Sequence, residues 1–287
     1  QERAWHEQLM RLISVEVLVP ESDTLTTVSL VEDNRIKHYA LKPEIASQLF
    51  TTQGAWQPKD AKIEGNHLVY RILNESKTET LCWAKIYPEQ PGIEWLMLHL
   101  DQRLGVYGIP YSTLVNLHHK GQNTAVLLSA HVPHPNLLKT LEQHPDTLSQ
   151  LDLAHFFKTL IRVLLSNPED DKGNDYFLEP SAEGLKLIRI DNERAFFAAE
   201  SSGGLLTKAK LQVKTIIYCL DLLIEPLNRN NSRVDAAVQD FLRLKPYALL
   251  KSLLVDLQKL QPLWQQLFSE ADIKTHYDNQ MPWLSLP

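Results

Sequence analysis

The sequence predicts an α+β chain with two lobes, the first rich in strands and the second helical. Three observations carry that prediction. Residues 14–41 and 67–87 hold short runs of β-branched and aromatic residues separated by polar turns. From residue 152 onward, apolar residues recur at helical spacing over long stretches. One polar stretch, residues 166–178, interrupts the helical part and precedes an apolar strand that ends in a carboxylate. Strands and helices segregated along a chain point to an α+β arrangement rather than alternating βαβ units.

Taken in order, residues 2–13 form a helix with Trp5, Leu9 and Leu12 on one face. Residues 14–19, 26–31 and 35–41 are strands, and residues 42–50 a short helix. Residues 67–73 and 80–87 flank a polar hairpin turn at 74–79, and Gly65 lies in a second turn, Glu64-Gly65-Asn66. Pro88 and Pro91 end the later strand, because proline removes a ladder donor. Ile93, Leu96, Met97, Leu100 and Leu104 then line one face of an amphipathic helix. Residues 124–129 read as a buried strand. Beyond 131–136 the character changes, with helices over 152–165, 208–223, 234–242 and 247–260. The boundary therefore falls near 130. Residues 1–130 form an N-terminal lobe with an extension, and residues 131–287 a helical C-terminal lobe.

Composition excludes several classes. The 287 residues are 44% apolar, enough to build a core without staples. With 29 basic and 35 acidic side chains the net charge is −6, which argues against phosphate-backbone binding to nucleic acid and against adhesion to anionic membranes. Two cysteines, Cys82 and Cys219, are too few for a disulfide framework or a zinc ribbon. Both read as buried thiols in a reducing compartment. No apolar run approaches the roughly 20 residues of a membrane span. The expectation is a soluble cytoplasmic protein. The chain opens on Gln1 rather than Met, so it is also expected to be part of a longer protein or to work with a partner.

The polar break carries the chemistry. It reads Asp170-Asp171-Lys172-Gly173-Asn174-Asp175-Tyr176-Phe177-Leu178, and after the strand at 185–190 comes Asp191-Asn192-Glu193-Arg194-Ala195-Phe196. Carboxylates and amides on two loops about 20 residues apart supply the hard oxygen donors that Mg2+ takes. An aspartate in the first loop can orient an acceptor hydroxyl. The alternative is an Asp/Asn/Gly-rich β-hairpin, since those residues dominate turns. No Walker motif, dinucleotide fingerprint or hydrolase elbow is present. The pairs His118-His119 and His131/His134 lack metal-ligand spacing and read as surface or hinge histidines.

These two segments resemble the catalytic and metal-binding loops of the phosphoinositide 3/4-kinase branch of the protein-kinase-like superfamily, and among them those of type II phosphatidylinositol 4-kinases. There, a loop of the form Asp-Arg-Gly-Asn-Asp-Asn-Trp-Leu is followed by a strand and Ile-Asp-Asn-x-x-Ala-Phe. The likeness spans about 30 residues. It implies a bilobal kinase-like fold with a strand-rich N-lobe and a helical C-lobe, with ATP and Mg2+ as cofactors. The implied activity is transfer of the γ-phosphate to a hydroxyl of a phosphoinositide headgroup or a protein. It assigns Asp171 to the catalytic aspartate and Asp191 to the metal-binding aspartate. The family's metal-binding asparagine falls on Tyr176, and a phenol is a poor magnesium ligand. Asn174 or Asp175 takes that place if the loop shifts, with Asp170 then catalytic. Lys85 is the implied phosphate-clamping lysine, sharing a strand face with Leu81 and Trp83. Lys172 joins it in the ATP-binding set. So does Glu94, either as the partner of Lys85 or simply as a favourable acid in a first helical turn. Residues 126–132 are the implied adenine hinge, and Ser76 a substitute for the missing glycine-rich loop. A pseudokinase, or a kinase fold that transfers AMP, fits the same pattern.

Overall fold

Two tight turns seed the sheet. Asp33 and Asn34 have φ of 51° and 58°, and Lys120 and Gly121 have φ of 48° and 77°. Both pairs are two-residue loops with positive φ, the geometry that matches strand twist. They close β2 (Thr27–Glu32) onto β3 (Arg35–Leu41), and β7 (Ser112–His119) onto β8 (Gln122–Ala130). The computed structural model describes residues 2–18, 25–57, 61–64, 67–166, 168, 172–193, 195–196, 219, 235–236, 238–239, 242–243 and 245–268.

The other elements up to residue 103 are α1 (Glu2–Met10), β1 (Ile13–Glu16), α2 (Pro43–Leu49), β4 (Ala61–Glu64), β5 (His67–Leu73), β6 (Thr80–Ile86) and α3 (Pro91–Arg103). The eight strands form one curled antiparallel sheet in the order β1-β3-β2-β7-β8-β6-β5-β4. Thus β6 lies beside β8, although α3 and β7 intervene in sequence. Later come α4 (Leu137–Gln143), α5 (Leu153–Ser166), a hairpin of β9 (Tyr176–Ser181) and β10 (Gly184–Arg189), and α6 (Pro246–Leu267).

Several of these elements depart from the sequence reading. β4 and β7 were not expected, nor was α4. Residues 176–178, read as the end of a polar loop, open strand β9. The first helix stops at Met10, three residues short of the expected end. The helix expected at 208–223 lies outside the described residues except for Cys219, and so do four of the nine residues of the one at 234–242.

The chain divides into two compact units. The first takes Gln1–Gly92, Tyr111–His131 and the segment from Asp256; the second takes Ile93–Pro110 and Val132–Val255. Neither is continuous in sequence, so a single cut near 130 does not describe them. Residues 93–110 go with the second unit and the end of α6 with the first.

Each unit has its own core. In the first, Val28, Tyr39, Val115 and Leu128 face one side of the sheet and pack against Trp5 and Leu9 of α1 and Ile45 and Leu49 of α2. Cross-strand partners share a face, so the register assigns Trp83, Lys85, Leu127 and Ser129 to the opposite side. That side continues through Asn116, His118 and Ser29. The Asn116 side chain donates to the carbonyl of Leu267 at 2.8 Å and so caps the end of α6. In the second unit, Phe156, Phe157 and Val163 of α5 pack with Leu137, Tyr176, Leu178 and Leu187.

Candidate functional site

Helix α5 runs on its apolar face to Ser166, which is fully buried. Asp170 and Asp171 lie outside the described residues. The chain then makes a 3-10 turn over Gly173–Asp175 and enters β9. Here register decides everything. Tyr176 pairs with Arg189, and the N–H of Ile190 donates to the carbonyl of Asp175 at 2.9 Å. The antiparallel ladder thereby extends one step past the strands and brings residues 174–175 against residues 190–191. Asn174, Asp175 and Asp191, drawn from two separated sequence segments, meet at one end of a two-stranded hairpin. Asn174 and Asp191 are exposed and Asp175 is half-buried.

Tyr176 points the other way. It is 0% exposed, sits in the unit's core, and has the guanidinium of Arg189 5.9 Å from its ring centroid. Strand alternation explains this: Tyr176 and Leu178 share the buried face, so the phenol is a core group.

Asp191 has φ of 55°, a left-handed conformation that costs a non-glycine residue about 1 kcal/mol or more. The next residue is held directly. The N–H of Asn192 donates to Oε1 of Glu94 at 2.9 Å, and both residues are buried. Glu94 lies in the first turn of α3, so this helix grips the backbone just past Asp191.

The other end of α3 is pinned as well. Asp101 and Arg162 are both 0% exposed and form an ion pair. The second carboxylate oxygen of Asp101 accepts N–H groups from Gly108 at 2.8 Å and Ile109 at 3.1 Å. The carbonyl of Gly108 in turn accepts the N–H of Arg189 at 2.7 Å. Helices α3 and α5 and strand β10 are thus tied through one buried carboxylate. Burial pushes the Asp101 carboxyl above its ordinary range, against the pull of Arg162 and the two N–H groups. Nearby, the N–H of Leu187 approaches Nδ1 of His155 at 3.4 Å. Burial, with Arg162 adding repulsion, lowers the His155 pKa to about 4.

Asn136 holds the 3-10 turn from the opposite side. Its Nδ2 donates to the carbonyls of Asn174 at 2.7 Å and Tyr176 at 3.3 Å. Its Oδ1 accepts the N–H of Lys139 and caps α4.

In the first unit, Lys85 is half-buried in central strand β6, between Val69 of β5 and Leu127 of β8. Two residues away, Trp83 donates its indole N–H to Nδ1 of His131 at 3.1 Å, so the ring is anchored at the end of β8. Ser76 does not join Lys85. Its turn enters β6 at Thr80, five residues from Lys85, or about 17 Å along the strand. Ser76 instead lines an open cavity of about 520 Å³ with Arg11, Lys42 and Glu44. His118 is not a surface residue either. It is 9% exposed and bonded through Nδ1 to Oδ1 of Asn123 at 3.1 Å.

Lys172 is exposed at the start of the 3-10 turn. No group of three His, Cys, Asp or Glu side chains suited to a metal occurs among the described residues. The hard oxygen donors at the hairpin end, Asp191 with Asn174 or Asp175, match what Mg2+ takes when phosphate and water complete its shell. Sequence reading missed Asn136, Asp101, Arg162 and Gly108. Asn136 had a legible signal as an N-cap before Leu137-Leu138-Lys139. The others did not. No protein-family model matches this chain, and no curated protein matches it either.

Proposed function

We propose that this chain is an atypical kinase-like phosphotransferase that moves the γ-phosphate of ATP to a hydroxyl of a phosphoinositide headgroup or a protein. The observation that carries the reading is the register of β9 and β10, which joins Asn174 and Asp175 to Asp191 directly after helix α5. Two further features support it. β6 is the third strand of the meander β4-β5-β6 and carries Lys85, and kinases hold their phosphate-clamping lysine on a third strand. α3 follows β6 and directs Glu94 at the backbone beside Asp191. No helix among the described residues is long and apolar enough to cross a membrane.

On this reading, Lys85 and Lys172 each neutralise phosphate oxygens, and Glu94 holds the Asp191 segment. Asp191, with Asn174 or Asp175, would hold Mg2+, which when bound would supply neutralisation of phosphate charge. Asp171 orients the acceptor hydroxyl and takes its proton as the new P–O bond forms and ADP leaves. Such catalysis is positioning and charge stabilisation, so few groups suffice.

A second reading, a pseudokinase acting as an interaction module, is favoured by Tyr176. The position where the likeness calls for a metal-binding asparagine holds a fully buried phenol. One experiment separates the two. ATP with Mg2+ is expected to raise the melting temperature, and labelled γ-phosphate to reach an acceptor, both effects being lost in Asp191→Ala. Stabilisation by ATP with no transfer to any lipid or protein supports the pseudokinase. Absence of both in the wild-type chain refutes nucleotide binding. Mass analysis of a product carrying AMP in place of phosphate corrects the transferred group.

A further inference from the structure

Strand β9 has neighbours on both edges. β10 pairs along one edge, and the segment that leaves β8 runs beside the other. The N–H of Leu178 donates to the carbonyl of Pro135 at 3.0 Å, and Asn136 forms an antiparallel bridge with Phe177. From that bridge the Asn136 side chain reaches forward to the carbonyls of Asn174 and Tyr176. The same side chain caps α4 through its oxygen. All of its bonding capacity toward the 3-10 turn is therefore spent on the backbone that presents Asn174 and Asp175.

We propose that Asn136 is a positioning residue. It latches the turn bearing Asn174 and Asp175 to the segment after β8, and so couples the order of the metal-binding end of the hairpin to that segment. This role rests on the nucleotide reading above, in which residues 126–132 contact the base. Asn136 touches no reacting atom. It acts by holding two carbonyls, which fixes where residues 174 and 175 direct their oxygens. The arrangement makes Mg2+ binding at the hairpin end sensitive to Asn136, while the base contacts, which precede it in the chain, are not.

Two variants test this. Asn136→Ser keeps a neutral N-cap but is too short to serve both carbonyls. Asn136→Asp keeps the size and the cap but has no donor. Nucleotide-induced thermal shifts are measured for each in EDTA and across a Mg2+ titration. The expected result is an ATP response in EDTA equal to wild type, with the Mg2+ midpoint raised about tenfold in both variants, the worth of two lost hydrogen bonds. Equal Mg2+ midpoints in wild type and Asn136→Ser overturn the proposal. A shift in Asn136→Asp alone also overturns it, because the effect is then the added charge. Hydrogen exchange reads the latch without nucleotide. The amides of Asp175 and Leu178 are expected to exchange faster in Asn136→Ser, and unchanged rates overturn the latch itself. A wild-type chain that shows no response to ATP refutes the nucleotide reading, and the metal-positioning role falls with it whatever the exchange rates show.

Discussion

Replacing Arg162 with Met tests whether one buried ion pair holds the second unit together. Arg162 and Asp101 are both 0% exposed. The change keeps most of the apolar volume and removes the cation. Asp101 is left with the N–H groups of Gly108 and Ile109, each worth about 1 kcal/mol net. That is too little to keep a carboxylate dry. Breaking a buried pair from one side costs about 3–5 kcal/mol, which lowers the melting temperature by about 10 °C in a chain of this size. Adding Asp101→Asn removes the stranded charge while its amide oxygen can still accept both N–H groups. The double variant is therefore expected to be more stable than Arg162→Met alone, by about 2 kcal/mol. The single variant also carries a pH signature. Without Arg162 the Asp101 carboxyl, already pushed up by burial, binds its proton more tightly folded than unfolded. Its deficit relative to wild type shrinks as pH falls from 7 toward 5. Urea unfolding followed by tryptophan fluorescence and circular dichroism measures all four members of the cycle. A loss below about 1 kcal/mol for Arg162→Met, or a double variant less stable than the single, would refute the reasoning.

Other outcomes follow from the same geometry. His155 is neutral when folded, with a pKa near 4, so its contribution is present above the unfolded value of about 6.5 and lost as pH falls through about 4. Stability is expected to drop by about 2 kcal/mol between pH 7 and pH 5, and His155→Gln should flatten that slope in urea midpoints measured across the range. Gly108→Ala sets a Cβ 2.8 Å from the Leu187 carbonyl and 3.3 Å from Arg162. It is expected to cost about 1–3 kcal/mol in thermal melts, whereas Gly121→Ala, with φ of 77° and open space around it, should cost about 1 kcal/mol through backbone strain alone. Cys82 and Cys219 are both 0% exposed, and burial pushes the Cys82 thiol up. Neither is expected to react with a thiol reagent until the chain unfolds, and rapid labelling of two thiols in the native state would contradict that burial.

The legible parts of the fold are those with a strong local period. Alternation placed β2, β3, β5 and β6, and the 3.6-residue stripe placed α3 and α5. β7 escaped because His118-His119 looked like a histidine cluster. The Lys120-Gly121 turn between two β-branched runs was the signal that would have found it. β9 escaped because Gly173-Asn174-Asp175 reads as loop and Tyr176 was taken as part of it. The candidate ligands Asn174, Asp175 and Asp191 could be named from residue type. Asp101 and Arg162 could not, because a buried carboxylate and a solvated one look alike in sequence and the two lie 61 residues apart; Asn136 showed its N-cap signal but not its partner carbonyl 38 residues away.

By itself, the sequence determined the mixture of helices and strands, the amphipathic faces that build two cores, and the oxygen-rich residue types of the two hairpin-end segments. Those properties are local, since side-chain type and period act within a few residues. Only the tertiary structure decided that Tyr176 turns inward while Asn174 and Asp175 meet Asp191, and that Ser76 sits at the far end of β6 from Lys85. It also decided that residues 93–110 belong with the second unit. Each of these depends on strand register and on pairing between distant segments. A shift of one residue would exchange the buried and open faces of β9 without altering a single local preference.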